Sequence, residues 1–219
     1  MNPKLCYITD RRSLEPRPLL PRILAAIEAG IDIVQIREKD LPPRELAELA
    51  GAAVAAAAGT GAQVVVNDRL DIALAAGAQG VHLGGQSIPL EAVRAAVAKL
   101  SLPGPFIVGV SCHSFEQALA AEVAGADYVL LGPIFPTPSK LAYGPPLGLG
   151  KLREITAELK IPVFALGGIG VAQVRSCLDA GAAGLAGIRV FQEPEALAAR
   201  VRELRAQSRS AGSGSPQGP

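Results

Sequence analysis

Two cations and an amide alternate in the segment VQIREKD, which directly follows the apolar run IDIV. The polar residues are Gln35, Arg37 and Lys39, and an extended chain directs alternate side chains to the same side. If the strand continues this far, the three side chains project together. Arginine offers a planar fork that suits phosphate oxygens, whereas lysine supplies a mobile point charge. The pattern predicts a pocket for a di- or triphosphate, to which Lys140 would add a third cation.

A second polar pair, Asn67 and Asp68, follows the apolar run VVV. The carboxylate of Asp68 suits Mg²⁺, a hard cation that is usually bound through one or two carboxylates and the phosphate oxygens of a substrate. An isolated Asn-Asp pair is more often a turn or a helix cap. An isolated REKD segment is more often a solvated charge run. The functional interpretation therefore requires that these residues meet at one site.

The elements that must position these residues recur along the chain as helix, glycine and strand. Four phrases place a glycine between an alanine-rich helix end and an apolar run, where it closes the last helical turn: EAGIDIVQI, AAGAQGVHL, VAGADYVLL and DAGAAGLAGI. Further apolar runs have the composition of strands that are buried on both faces: LCYIT, AQVVV, PFIVGV and IPVFAL. About eight strands therefore alternate with about eight helices.

This alternation predicts an α/β fold, a closed (β/α)8 TIM barrel, rather than an open doubly wound sheet. An open sheet would show a glycine fingerprint after its first strand, and the segment DRRSLEPR has none. We expect one domain over residues 1–206. The remaining residues, 207–219, read QSRSAGSGSPQGP, and this tail is predicted to be disordered because it cannot bury enough apolar surface to fold.

The composition narrows the class of protein. Of the 219 residues 49% are hydrophobic, with a net charge of +1, so we expect a globular chain with a large core. No apolar run approaches the roughly 20 residues that cross a bilayer, and nothing at the start looks like a signal sequence. Balanced charge and 4% aromatic residues argue against a nucleic-acid surface.

Three cysteines without metal-type spacing fit a reducing compartment, and we interpret them as small buried residues. We therefore expect a soluble, cytoplasmic protein that acts on small-molecule substrates, with neither a nucleic-acid partner nor a membrane partner. The sequence leaves the oligomeric state open, a homo-oligomer included.

The active site of such a barrel is formed by the loops that follow the carboxyl ends of its strands. Polar residues or glycines follow every predicted strand at this point, including the loop of residues 132–148 after the sixth. Gly167-Gly168 and Gly187-Ile188 follow the last two strands, where barrels commonly bind phosphate through backbone N–H groups. The sequence therefore predicts two phosphate regions, one with side-chain cations and one with backbone donors. For His82 and His113, structural and functional roles stay open.

Seven segments, in order, resemble the thiamine phosphate synthase family and its relatives, the thiazole tautomerases. The segments are YITD (7–10), QIREK (35–39), VVNDR (65–69), GVHLG (80–84), GVSCHS (109–114), GADYVLLGPIFPTPSK (125–140) and ALGGI (165–169). The resemblance implies a transferase of thiamine biosynthesis that joins 4-amino-2-methyl-5-hydroxymethylpyrimidine diphosphate to a thiazole phosphate and releases pyrophosphate.

The resemblance also implies roles for individual residues. Asp68 would carry Mg²⁺, and Ser111 would lie near the reacting centre. The pyrimidine diphosphate would be held by Gln35, Arg37, Lys39, Asn67 and Lys140, and the thiazole phosphate by Thr137, Pro138, Ser139, Gly168, Ile188 and Arg189. The residues expected to take part in catalysis are Arg37, Lys39, Ser111, His113 and Lys140.

Two positions depart from the synthase pattern. Ser87 stands where the synthases usually carry a second Mg²⁺-binding aspartate, and Arg189 replaces the usual serine. With serine at position 87, the chain resembles the tautomerase branch. One alternative is therefore an isomerase that moves a proton on a thiazole carboxylate phosphate. Imidazole titrates near neutral pH, so His113 would be its general acid or base. A non-catalytic ligand-binding relative is the other alternative.

Overall fold

Eight parallel strands pair in chain order and close into a barrel, in which β8 pairs with β1. The structure is a computed structural model, and it describes residues 3–137, 145–192 and 196–207. The strands are β1 (Lys4–Ile8), β2 (Ile33–Ile36), β3 (Gln63–Asn67), β4 (Gly80–Leu83), β5 (Ile107–Cys112), β6 (Tyr128–Leu131), β7 (Val163–Leu166) and β8 (Gly184–Gly187). The predicted (β/α)8 barrel is confirmed.

Helices follow the strands and cover the barrel. They are α1 (Leu19–Glu28), α2 (Pro43–Ala57), α3 (Leu70–Ala75), α4 (Leu90–Val97), α5 (Phe115–Val123), α6 (Gly148–Glu158), α7 (Val171–Asp179), α8 (Arg189–Gln192) and α9 (Leu197–Ala206). No helix of the described residues has the length and apolar character that a membrane crossing requires. Gln207 is the C-cap of α9, and the rest of the predicted tail, 208–219, lies outside the described residues.

Two short helices were not predicted. A 3-10 helix, Arg11–Leu14, follows β1, and the single turn α8 directly follows β8. Both follow the carboxyl end of a strand, and Ser13 Oγ donates a hydrogen bond of 2.9 Å to Gln192 Oε1 between them. The two helices therefore connect the first and last strand loops at the mouth of the barrel.

Glycines end the helices that precede four of the strands, as the sequence predicted. The glycine of each recurring phrase has a positive φ, namely Gly30, Gly77, Gly125 and Gly181. The three cysteines are buried and unpaired, as predicted. Burial raises the pKa of the Cys177 thiol to about 11, so this thiol stays protonated at neutral pH.

Two apolar layers hold the fold together. The larger lies between the strands and the helices, and a smaller one fills the barrel with residues such as Ile8, Val65, Tyr128 and Phe164. The rings of Tyr128 and Phe164 pack edge to face with centroids 5.4 Å apart. Space for the Tyr128 ring exists because Gly109 on the neighbouring strand has no side chain. A Cβ there would lie 2.1 Å from Tyr128 Cζ.

Gly109→Ala is expected to lower the free energy of unfolding by about 1–3 kcal/mol, since an added methyl must displace a buried ring. Gly51→Ala is the matched control, because Gly51 lies inside α2 and a Cβ there meets nothing within 4 Å. The control is expected to stabilise the protein by about 0.5–1 kcal/mol, as alanine favours the helix. Urea denaturation of the two variants measures both effects, and equal stabilities would contradict this account of the interior.

Candidate active site

A chain of hydrogen bonds joins the carboxyl ends of β2 and β3. Gln35 Nε2 donates to Asn67 Oδ1 at 2.9 Å, and Asn67 Nδ2 donates to Asp68 Oδ2 at 2.6 Å. Gln35 is 2% exposed, and its Oε1 atom is buried without a hydrogen-bond partner among the described residues. A buried unpaired acceptor is costly, so this atom marks a place where a ligand donor would bind.

The cations of the QIREK segment reach the same mouth by a turn. Strand β2 ends at Ile36, so continued strand pleating does not align the three polar side chains. Lys39 lies beyond the strand with its side chain 61% exposed, and its Nζ atom is 3.8 Å from Asp68 Oδ2. Arg37 is half-buried and close enough to His82 for its charge to lower the pKa of that imidazole.

Glu38 anchors this turn from the opposite side. It is 4% exposed, and its Oε1 atom accepts a hydrogen bond of 2.6 Å from Thr9 Oγ1. Thr9 Oγ1 in turn accepts the backbone N–H of Arg37 at 2.9 Å, and both Glu38 carboxylate oxygens accept the backbone N–H of Arg11. Burial raises the pKa of Glu38, although the Thr9 contact opposes the shift. This role of Glu38 was not predicted, since its only signal in the sequence is an acid between two cations.

Asp68 has an unusual backbone. Its φ of 63° is the one positive value recorded for a non-glycine residue across the described ranges. Aspartate tolerates this conformation better than most residues, and such positions concentrate at functional sites. The Ser87 hydroxyl makes a very short contact with Asp68 Oδ1 and accepts the backbone N–H of Gly84 at 2.7 Å. Ser87 therefore fixes the orientation of the carboxylate.

The donor chemistry at Asp68 fits Mg²⁺ that is shared with a substrate. Mg²⁺ usually keeps several waters and binds through one or two carboxylates together with substrate phosphates. Asp68 offers a carboxylate beside the hydroxyl of Ser87. No group of three or more His, Cys, Asp or Glu side chains suited to a metal occurs in the described part of the chain. The residues present therefore fit an ion held largely by a phosphorylated ligand rather than by a protein cage.

Three side chains from β4, β5 and β6 are connected inside the barrel. His82 Nε2 lies 2.9 Å from Ser111 Oγ, and His82 Nδ1 lies 3.2 Å from the Tyr128 hydroxyl. His82 is 1% exposed, and burial lowers the pKa of its imidazole to about 3, so the ring is neutral at physiological pH. His113 is exposed in the loop after β5, where its Nδ1 atom contacts the carbonyl oxygen of Gly132.

A second polar region follows β6, β7 and β8. The loop after β6 is fastened to the end of β7, because Phe135 N donates to the Gly167 carbonyl at 3.1 Å. Thr137, which is 8% exposed, directly follows Pro136, whose carbonyl oxygen lies against Gly168. Gly168 has a φ of 65°, and a Cβ there would lie 2.6 Å from the Pro136 carbonyl oxygen, so only glycine fits.

Arg189 reaches this region from the start of α8. Its Nη2 atom lies 3.4 Å from Thr137 Oγ1. Ile188 lies between β8 and α8, and its carbonyl accepts the backbone N–H of Phe191 at 3.0 Å. The structure thus brings Thr137, Gly168 and Arg189 together. The predicted site residues Pro138, Ser139 and Lys140 lie outside the described residues.

A cavity of about 630 Å³ opens at the other end of the barrel, where the strands begin. Its lining includes Ile33, Ile107 and Phe164. Charged groups at its rim are paired, for example Asp32 with Lys4 at 3.1 Å and Asp127 with Arg94 at 2.5 Å. The unpaired Gln35 acceptor, the cations and the positive-φ aspartate lie instead at the carboxyl ends, which is the catalytic face of such barrels.

Comparisons with known proteins concern the chain as a whole. The family model described as thiamine monophosphate synthase matches residues 5–191. The chain is 50% identical over 182 residues to a protein of Geobacter sulfurreducens, covering 83% of each chain. It is 43% identical over 193 residues to the thiamine-phosphate synthase of a Roseiflexus strain, covering 86% of this chain and 79% of that one.

The solved structure of thiamine phosphate pyrophosphorylase from Pyrococcus furiosus is similar to the whole barrel. It superposes with a TM-score of 0.83 and 36% identity over 94% of this chain and 95% of that one.

Proposed function

The chain belongs to the thiamine monophosphate synthase family, and we propose that the polar cluster at the barrel mouth performs the synthase reaction. The enzyme is a transferase that joins 4-amino-2-methyl-5-hydroxymethylpyrimidine diphosphate to a thiazole phosphate and releases pyrophosphate. The observation that carries this assignment is the meeting of Lys39, Asp68, Asn67 and Gln35 at one mouth, where Gln35 Oε1 has no hydrogen-bond partner among the described residues. The substrates are small molecules, and we infer that the reaction occurs in the cytoplasm, where the free thiols stay reduced.

Gln35 and Asn67 recognise the pyrimidine. The exocyclic amino group of an aminopyrimidine carries N–H donors, and Gln35 Oε1 is a buried acceptor without a partner in the described structure. The contact with Asn67 holds the amide of Gln35 so that its oxygen is left for the ligand. A pyrimidine that lacks this amino group would leave the acceptor unpaired, which strongly disfavours its binding.

Arg37, Lys39 and Lys140 bind the diphosphate. The leaving pyrophosphate gains negative charge as the bond between its oxygen and the pyrimidine methylene breaks. Cations around it therefore stabilise the transition state more than the bound substrate. Mg²⁺, when held by Asp68 beside Ser87, adds further positive charge at this group. No protein nucleophile is needed, because the thiazole nitrogen forms the new bond to the methylene carbon.

The second substrate binds on the other side of the mouth. Thr137 and Arg189 offer a hydroxyl and a guanidinium for the thiazole phosphate, beside Gly168 and the backbone at Ile188. Pro138 and Ser139 belong to the same proposed set. Ser111, at the end of β5, lies between the two regions in the order of strands and is the proposed neighbour of the reacting centre.

A direct assay tests this function. Purified protein with both substrates and Mg²⁺ is expected to form thiamine phosphate and pyrophosphate in equal amounts, because each new C–N bond releases one pyrophosphate. The pyrimidine monophosphate is the control substrate, since it presents one phosphate instead of two to the cationic pocket. If no pyrophosphate forms and the protein isomerises a thiazole carboxylate phosphate without metal, the function is that of an isomerase. Complementation of a thiamine auxotroph provides an independent measurement.

A further inference from the structure

A hydrogen-bonded chain of three side chains crosses the barrel from its interior to its mouth. The Tyr128 hydroxyl contacts His82 Nδ1 at 3.2 Å, and His82 Nε2 contacts Ser111 Oγ at 2.9 Å. Tyr128 is 3% exposed and His82 is 1% exposed, whereas Ser111 is half-buried near the end of β5. Tyr128, at one end of this series of hydrogen bonds, is therefore buried in the core. Ser111, at the other end, borders the proposed substrate site.

The buried position of the Tyr128 hydroxyl determines which atoms donate the hydrogen bonds. A phenol carries one hydrogen, and in the described structure the Tyr128 hydroxyl has a single hydrogen-bonding partner, His82 Nδ1. Burial raises the pKa of Tyr128 well above its ordinary value, so the hydroxyl keeps its hydrogen. If His82 Nδ1 carried a proton and donated it to Tyr128, the phenol hydrogen would be buried without an acceptor, which costs its full desolvation. The favoured arrangement has Tyr128 donating to His82 Nδ1.

The direction of this first hydrogen bond determines the direction of the bond between His82 and Ser111. A neutral imidazole that accepts at Nδ1 carries its hydrogen on Nε2, and that N–H then donates to Ser111 Oγ. Ser111 receives a hydrogen bond from inside the barrel, and its own hydroxyl hydrogen stays free. In the opposite tautomer the Ser111 hydroxyl would donate inward to His82 and would have no hydrogen left for a ligand.

We propose that Tyr128 and His82 are positioning residues that hold the Ser111 hydroxyl as a hydrogen-bond donor towards the departing pyrophosphate. Tyr128 fixes the tautomer of His82, and His82 fixes the direction of Ser111. A donor that is already oriented needs no reorganisation when negative charge develops on the leaving group. The inference rests on the proposed function for the identity of the ligand, whereas the direction of the hydrogen bonds is a property of the free protein.

The tautomer is measured without substrates. The chain contains only two histidines, so ¹⁵N NMR of the imidazole nitrogens gives two sets of signals, which the His113→Gln variant assigns. We expect His82 Nε2 to show the signal of a protonated nitrogen and Nδ1 that of an unprotonated acceptor. The reverse assignment would overturn the proposal. Because no substrate is present, this outcome is independent of whether the protein makes thiamine phosphate.

A double-mutant cycle separates positioning from packing. Tyr128→Phe removes the hydroxyl and keeps the ring, and it is expected to lower kcat by on the order of 10-fold with little change in KM. In a Ser111→Ala background the same substitution is expected to change kcat less than about 2-fold, because residues that act as a unit are non-additive. Additive effects in the two backgrounds would overturn the proposal, since a merely structural role does not depend on Ser111.

Tyr7→Phe is the matched control. Tyr7 on β1 is also fully buried, and its ring lies in the layer between the strands and the helices, where it packs against Phe191. The change removes a phenolic hydroxyl from a buried position outside the barrel interior and leaves the contacts of His82 intact. The tautomer and kcat are expected to be unchanged, and a loss of kcat equal to that of Tyr128→Phe would contradict the proposal.

Discussion

Replacing Lys39 by alanine is expected to lower kcat/KM for thiamine phosphate formation by about 100- to 1,000-fold, the usual effect of removing one electrostatic donor from a transition state. The ammonium of Lys39 lies 3.8 Å from Asp68 Oδ2 at the mouth of the barrel. Because the negative charge of the leaving pyrophosphate grows as the C–O bond breaks, most of the loss should appear in kcat rather than in KM. Pyrophosphate release under saturating Mg²⁺ measures both parameters.

Lys99→Ala provides a control of equal charge change. Lys99 is exposed just beyond α4, on the outer helical layer. Its removal is expected to leave kcat and KM within about 2-fold of the parent values, because exposed charges that are far from a site are screened by salt. Equal losses in the two variants would mean that Lys39 acts only through the net charge of the protein, and the proposed diphosphate pocket would be wrong.

The barrel was predictable because it is encoded locally and repeatedly. Each recurring phrase specifies a helix end, a glycine with positive φ and a buried strand, and Gly30 shows the pattern with a φ of 89°. The short helices at Arg11–Leu14 and Arg189–Gln192 were not predicted, since four residues are too few for an apolar period to show. Their positions depend on contacts between the two chain ends, such as Ser13 with Gln192.

For the candidate site, the sequence predicted which residues lie at the strand ends, but it did not predict the contacts between the loops. Parallel strands place their carboxyl ends at one mouth, so Gln35, Asn67 and Asp68 could be brought together from the alternation alone. The contacts of Glu38 with Thr9 and of Ser87 with Asp68 were not foreseen, because each joins residues from different loops. A local sequence pattern does not indicate contacts between residues that are far apart along the chain.

The connection between His82 and Tyr128 shows the same limit inside the barrel. From the sequence, His82 could have either a structural or a functional role. Tyr128 was interpreted only as part of an apolar strand. Only the closure of the barrel sets their strands so that the hydroxyl meets Nδ1, with Ser111 on the other nitrogen. The roles of Pro138, Ser139 and Lys140 remain predictions from the resemblance.

Asp68→Asn is expected to raise the Mg²⁺ concentration for half-maximal activity by at least about 10-fold, since even indirect support of a metal ligand is worth that much. The variant removes the carboxylate charge but keeps the shape of the side chain. Asparagine also tolerates a positive φ, so the value of 63° at this position should persist and the loop should keep its course. An alanine would confound the loss of a ligand with backbone strain.

Asp71→Asn is the matched control, because it makes the same chemical change three residues away. Asp71 pairs with Arg69 at 2.6 Å, and its side chain is 65% exposed. The binding of Mn²⁺ as a paramagnetic probe, followed by EPR with pyrophosphate present, measures metal affinity apart from turnover. We expect weaker Mn²⁺ binding in Asp68→Asn and parental binding in Asp71→Asn. Parental binding in both variants would show that pyrophosphate alone holds the ion, and Asp68 would then serve only to orient Asn67, Ser87 and Lys39.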